Sequence, residues 1–237
     1  MTDLLHLSDS YLREFQATVV GIGDGGVILD RTAFYPQGGG QPSDVGILRI
    51  DEGGEYLVEK VGKVKGQVVH SLRGEPPVVG TKVQGRIDWD RRYRLMRTHT
   101  ALHILCGVIW RDYGASVTGG NMGPLKARMD FELESMSSQF STEVEAKINE
   151  EVAAARPVHV RTLPREEAFQ IPDLIRTKIN LLPEGITEVR VVEIEGLDLQ
   201  ADGGTHVANT REVGHIRVTG HESKGRINKR LRIEIED

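Results

Sequence analysis

The stretch DRRYRLMRTHTALHILCGVIWRDY, residues 90–113, decides how the chain divides. It holds no proline, and Gly107 is its only glycine. Leu95, Leu102, Leu105 and Ile109 recur close to the helical period, so the run is expected to form one long helix ending near Gly114. Upstream the texture differs. Ala17–Val20, Val27–Asp30, Gly46–Ile50, Glu55–Val61 and Lys82–Ile87 are short strand-like runs, parted by glycine and proline turns such as Gly53-Gly54 and Pro76-Pro77. That spacing predicts a small β-barrel over residues 1–88. Downstream, strands are expected at Lys126–Leu133, Val158–Thr162, Glu188–Ile194, His215–Thr219 and Asn228–Glu236. Helices are expected at Glu143–Ala155, N-capped by Thr142 with Glu145 as its capping-box partner, and at Pro164–Ala168. Residues 89–237 therefore read as an α+β domain, with helices against a mostly antiparallel sheet.

Composition narrows the function class. With 38% hydrophobic and 27% charged residues in 237, the chain can bury a core of its own. No apolar run approaches the eighteen or so residues of a membrane span, and the first residues carry no signal-peptide pattern. The single cysteine, Cys106, excludes an intramolecular disulfide and points to a reducing, cytoplasmic setting. A net charge of −5 argues mildly against nucleic-acid binding. Basic residues are nevertheless crowded at Arg86, Arg91, Arg92, Arg94 and Arg97, and again at Lys224, Arg226, Lys229, Arg230 and Arg232. Local patches decide where phosphates sit.

The chemistry centres on Arg97-Thr-His-Thr-Ala-Leu-His103. His99 and His103 stand four apart on the expected helix, so both imidazoles share one face and can reach one ion. Zinc takes such ligands. Two ordinary helix histidines would show the same spacing. The second element is Ala201-Asp-Gly-Gly-Thr-His206, where paired glycines let a turn approach a ligand and aim Asp202 and His206 at one point. A plain hairpin turn is the competing reading. His6, His70, His159, His215 and His221 are not assigned as ligands.

R-T-H-T-A-L-H followed by G-G-T-H resembles the editing domain shared by alanyl-tRNA synthetase, threonyl-tRNA synthetase and the free-standing AlaX proteins. Phe34-Tyr-Pro-Gln-Gly-Gly-Gly-Gln-Pro-Ser-Asp44 is similar to the glycine-rich signature of the barrel in the alanyl branch. Leu163-Pro-Arg-Glu-Glu-Ala168 and Ser223-Lys-Gly-Arg-Ile-Asn-Lys-Arg-Leu-Arg-Ile233 extend the likeness over residues 34–233. The resemblance is to the medium-length AlaX class: barrel plus editing domain, with no adenylation domain before and no long extension after. One departure matters. The family carries a cysteine where this chain has Asp202. Three arrangements are open: Asp202 ligates as a carboxylate, Asp202 stands behind three histidines and a water, or Cys106, on the helix face of His99, contributes.

The resemblance implies a hydrolase that deacylates mischarged tRNA(Ala), chiefly seryl- and also glycyl-tRNA(Ala), with one Zn2+ per chain and tRNA as partner. It implies His99, His103, His206 and Asp202 at the metal. It places Thr118 in a hydroxyl-recognising pocket, against a plain turn residue as the alternative. It sets Gln41, with Gly38, Gly39 and Gly40, beside the site, against a simple glycine turn. Lys224, Arg226, Lys229 and Arg230 are candidates for the tRNA backbone, against an ordinary solvated face. Rival functions are an editor of seryl-tRNA(Thr), a non-catalytic zinc-stabilised tRNA-binding module, and a zinc hydrolase of small esters.

Overall fold

The computed structural model describes residues 2–23, 25–51, 53–177 and 185–236. The chain forms two compact units, Met1–Arg94 and Leu95–Asp237, so the division falls inside the long helix. Mixed α and β structure is built on mostly antiparallel strands.

The first unit carries β1 (Asp3–Leu4), β2 (Glu14–Gly23), β3 (Gly26–Leu29), β4 (Arg31–Thr32), β5 (Gly46–Ile50), β6 (Glu55–Val64), β7 (Gln67–Leu72) and β8 (Lys82–Ile87). Six of these pair in the closed order β2-β3-β7-β6-β5-β8. β8 alternates strictly between exposed and buried positions. Phe15, Val19, Leu29, Phe34, Leu48, Val61 and Val83 meet in the resulting core. Strand β7 has no counterpart in the sequence expectation. It is entered through Lys65 and Gly66, both at positive φ, a turn without the Asn-Gly or Asp-Gly signal. The strand itself is a short, nearly all-buried run interrupted by His70.

His70 is sealed inside this unit, with Nε2 against the Thr32 hydroxyl (2.8 Å) and Nδ1 against the Val27 carbonyl (3.3 Å). Burial pushes its pKa down to about 4, and the Val27 carbonyl offsets this only in part. The unfolded chain therefore holds the extra proton between pH 6.5 and pH 4, and folding stability falls as pH drops through that window. The expected loss is about 3 kcal/mol between pH 7 and pH 4. Urea titrations of the parent and of His70→Gln at both pH values measure it. Equal pH slopes in the two chains would refute the assignment.

Helix α1 (Trp89–Tyr113) ends where Gly114 takes φ 62° and donates to the Trp110 carbonyl at 2.9 Å. From Leu95 to Ile109 every residue is buried, so the helix is covered all round rather than along one apolar stripe. Two arginines counted with the basic segment are consequently not at the surface. Arg92 is fully buried. Arg97 donates to the carbonyls of Val213 (2.9 Å) and Glu236 (2.6 Å).

The second unit adds β9 (Val117–Gly123), β10 (Lys126–Phe131), α2 (Ser138–Ala153), β11 (Val158–Pro164), α3 (Arg165–Ala168), β12 (Glu188–Ile194), β13 (Asp198–Ala201), β14 (Ile216–Gly225) and β15 (Asn228–Ile235). An antiparallel sheet runs β14-β15-β10-β9, and a second runs β11-β12-β13. Helix α2 starts earlier than expected. Ser137, not Thr142, is the N-cap, its Oγ accepting from Phe140 N at 3.1 Å. Glu145 serves no capping box, because its carboxylate accepts from Val218 N of β14 (2.6 Å). A serine-rich approach offered several caps, and packing on β14 selected the one that lengthens the helix.

Candidate metal centre

The helical spacing of His99 and His103 does what the sequence suggested and turns both rings to one side of α1. The loop after β13 brings Asp202 and His206 to the same place. One ligand atom from each of these four residues lies within 4.8 Å of all the others. His99 stacks on His206 at 4.2 Å between ring centroids, and His103 meets the two edge-on at 5.2 and 4.7 Å.

The loop owes its shape to Asp202 more than to its glycines. Asp202 Oδ2 accepts from the backbone N–H of Gly204 at 2.6 Å. Arg190 donates to the Asp202 carbonyl at 2.8 Å and clamps the loop from β12. Neither Gly203 nor Gly204 adopts positive φ, and a Cβ on Gly203 would meet nothing within 4 Å. The turn is therefore made without left-handed backbone at either glycine. The side-chain cap holds it.

Hydrogen bonds set the state of each ring. Asp202 Oδ2 lies 3.0 Å from His206 Nε2, and Asp202 Oδ1 lies 3.5 Å from His99 Nε2. On its other side, His206 Nδ1 meets the Thr100 hydroxyl at 3.2 Å, and that hydroxyl also accepts from Val207 N. His103 Nδ1 is bonded to Asp198 Oδ2 at 2.9 Å. Burial pushes His99 down to about 4, although Asp202 pulls the other way. Burial and the charge of His99 also press His206 well below its usual value. Burial would lower His103 too, but the Asp198 bond and charge overcome it and raise that ring. For Asp202, burial pushes upward, yet the surrounding histidines hold the carboxyl well below the carboxylate range. Two neutral imidazoles and an anionic carboxylate are a donor set for a divalent cation.

The donors also fit zinc in spacing. Tetrahedral bonds of about 2.0–2.1 Å separate neighbouring donors by about 3.3 Å. The two separations to Asp202, 3.0 and 3.5 Å, bracket that value, and all four donors lie within 4.8 Å of one another. Cys106 does not belong to the group. It is buried, and burial followed by the Asp198 charge keeps its thiol protonated.

Thr118, on β9, is exposed and donates to Asn228 Oδ1 at 2.8 Å. Gly38 and Gln41 exchange backbone hydrogen bonds of 3.2 and 2.8 Å around Gly39 and Gly40. Both central glycines have positive φ (54° and 87°), so the tight turn requires them. Of the four C-terminal cations, Lys229 is buried and donates to the carbonyls of Gly225 (2.7 Å) and Arg226 (2.9 Å). Arg230 forks onto both oxygens of Asp130 at 2.7 and 2.8 Å. Lys224 pairs with Glu222 at 3.0 Å, and Arg226 is exposed. A solvated basic face of four is thus reduced, because two of its members tie the end of the sheet together. Sequence reasoning did not find Thr100, Arg190 or Asp198. Their signal is a tertiary contact, and nothing in their spacing announces it.

Residues 4–91 match the family model for class II (A) tRNA synthetases. Residues 189–232 match the model for the second additional domain of threonyl and alanyl tRNA synthetases. The alanyl-tRNA editing protein AlaX-M of Methanosarcina mazei is 41% identical, covering 100% of this chain and 98% of its own. That of Saccharolobus solfataricus is 42% identical over 98% of both chains. The alanine–tRNA ligase of Thermofilum pendens is 42% identical over 93% of this chain but only 24% of the ligase. With identity of this order along its full length, the chain belongs to the AlaX-M family of alanyl-tRNA editing proteins.

Proposed function

We propose that this protein hydrolyses the aminoacyl ester of mischarged tRNA(Ala), chiefly seryl-tRNA(Ala), with glycyl-tRNA(Ala) as a second substrate. The observation that carries the reading is the convergence of His99, His103, Asp202 and His206 in a chain whose full-length relatives are named for alanyl-tRNA editing. These four residues would hold one zinc ion. When bound, zinc supplies Lewis acidity, either lowering the pKa of a water to about 7 or orienting the ester.

The chain's own groups do the rest. Neutral His99 and His206 offer lone pairs at neutral pH, and the Asp202 carboxylate brings the negative charge that a dication needs. The Asp202–Gly204 cap keeps the loop from swinging away. The editing reaction is assigned to residues 89–237. Thr118 is assigned to recognition of the serine hydroxyl and, with Gln41, to the catalytic site, and Gly38, Gly39 and Gly40 to substrate binding. A site built to bond a hydroxyl rejects an analogue without one strongly, which would spare alanyl-tRNA(Ala). Arg226 and Lys224, with Lys229 and Arg230 shaping their turn, are assigned to the tRNA backbone. A cytoplasmic location follows from this substrate.

Hydrolysis of seryl-, glycyl- and alanyl-tRNA(Ala) and of seryl-tRNA(Thr), with bound metal measured on the same sample, tests the reading. Release of serine from tRNA(Ala) with alanine retained is the expected result. Faster release from tRNA(Thr) would move the protein to the threonyl branch. No release by the zinc-loaded chain would leave a binding module.

A further inference from the structure

Gly107 lies one helical turn beyond His103 on α1. A Cβ there would meet Leu197 Cγ at 2.9 Å, and Asp198 Cβ and the Leu197 carbonyl oxygen at 3.1 Å. Glycine weakens a helix interior. At this position it lets the β12–β13 turn sit directly on the helix. That turn is closed by Leu197 N donating to Ile194 O at 2.9 Å, with Gly196 at φ 69°. The close approach delivers Asp198, the first residue of β13, to the helix face that carries His103.

Asp198 is buried, and its carboxylate is committed. Oδ2 accepts from His103 Nδ1 at 2.9 Å and from Gln200 Nε2 at 2.7 Å. Among the described residues Oδ1 has no hydrogen bond, and it faces Arg176 Nε at 3.9 Å. The Arg176 guanidinium lies over the Trp110 ring, 4.6 Å from its centroid, and among the described residues its buried Nε and Nη1 have no hydrogen-bond partner. Stacking therefore holds Arg176, and its charge stays beside the carboxylate. A carboxylate can only accept, so the His103 bond requires the proton on Nδ1. That leaves Nε2 as the ring atom offered to the cluster.

We propose that Asp198 is a positioning residue for the metal centre: seated on α1 by Gly107, it locks His103 as the Nδ1–H tautomer, with Nε2 turned to His99, Asp202 and His206. Outer partners of metal-bound histidines commonly tune affinity in this way. The proposal rests on reading those four residues as a metal site.

The test is Zn(II) affinity of the metal-free full chain, measured by competition with a chromophoric chelator. Asp198→Asn keeps the shape but allows an amide to donate to Nδ1. Its zinc affinity is expected to fall about 10–100-fold. In metal-free protein the 15N signals of His103 report the tautomer directly. Nδ1 carries the proton in the parent and shares it with Nε2 in Asp198→Asn, a change that a merely structural role would not produce. If the parent takes up no zinc, the metal reading fails. Parent-like affinity and tautomer in Asp198→Asn would overturn the proposal and leave the metal reading standing. Should that variant not fold, Gly107→Ala displaces an intact carboxylate and carries the same expected loss. Parent-like zinc affinity there would overturn the proposal equally.

Discussion

Replacing His99 and His103 together by alanine leaves the chain without bound zinc and slows deacylation of seryl-tRNA(Ala) by on the order of a thousandfold or more. Two of the four converging donors are removed, and Asp202 with His206 cannot hold a dication against water. The catalytic loss follows from the several kcal/mol that metal-assisted ester chemistry supplies, about 4 kcal/mol being a thousandfold. The effect is local. Both rings point into the cluster, and the Arg97 bonds to Val213 and Glu236 that fasten the helix are untouched. Metal content and tRNA affinity are read on the same sample as the rate, so loss of fold shows as loss of both binding terms. Hydrolysis at the parent rate by a folded, metal-free double variant would end the zinc-based reading.

Asp44→Ala is expected to destabilise the first unit by about 3–5 kcal/mol, the range for breaking a buried ion pair from one side. The Arg92 guanidinium is wholly enclosed. Its Nε reaches both Asp44 oxygens at 3.0 Å, Nη2 donates to Asp44 Oδ2 and to the Ala33 carbonyl, and Nη1 donates to the Ser10 carbonyl. The same carboxylate accepts from Tyr35 N at 2.6 Å. One side chain from the start of α1 thereby gathers three loops of the barrel unit. Truncating Asp44 strands a buried cation and orphans an amide. The paired change Arg92→Met with Asp44→Leu should cost much less, since no charge is left behind. Urea unfolding of the three chains compares them. An Asp44→Ala loss below about 1 kcal/mol would mean that water reaches the guanidinium.

What the sequence revealed, and what it hid, follows the range of each signal. The convergence of His99 and His103 was legible because helix geometry alone puts i and i+4 together. Strands β5, β8 and β12 were legible to the residue because apolar runs stop at turn residues. Strand β9 was not, since Val117–Gly123 contains three glycines and reads as loop. It exists because β10 lends it a full ladder, from Lys126↔Gly123 to Phe131↔Val117. Asp198 was hidden for the same reason. Its partner lies 95 residues away in the chain, and only the lone glycine in the long helix hinted at a close neighbour. The basic segment misled because two of its arginines are structural struts, a fact invisible until Asp44 and the C-terminal strand are in place.

The loop aspartate has a consequence for redox chemistry. A carboxylate stands at the cluster, and the chain's one thiol is enclosed and protonated. Peroxides attack thiolates, climbing from sulfenic to sulfonic acid. Here they meet none. Oxidants that disable a thiolate-ligated centre find no thiolate among these four residues, so any metal binding by them is expected to survive peroxide treatment.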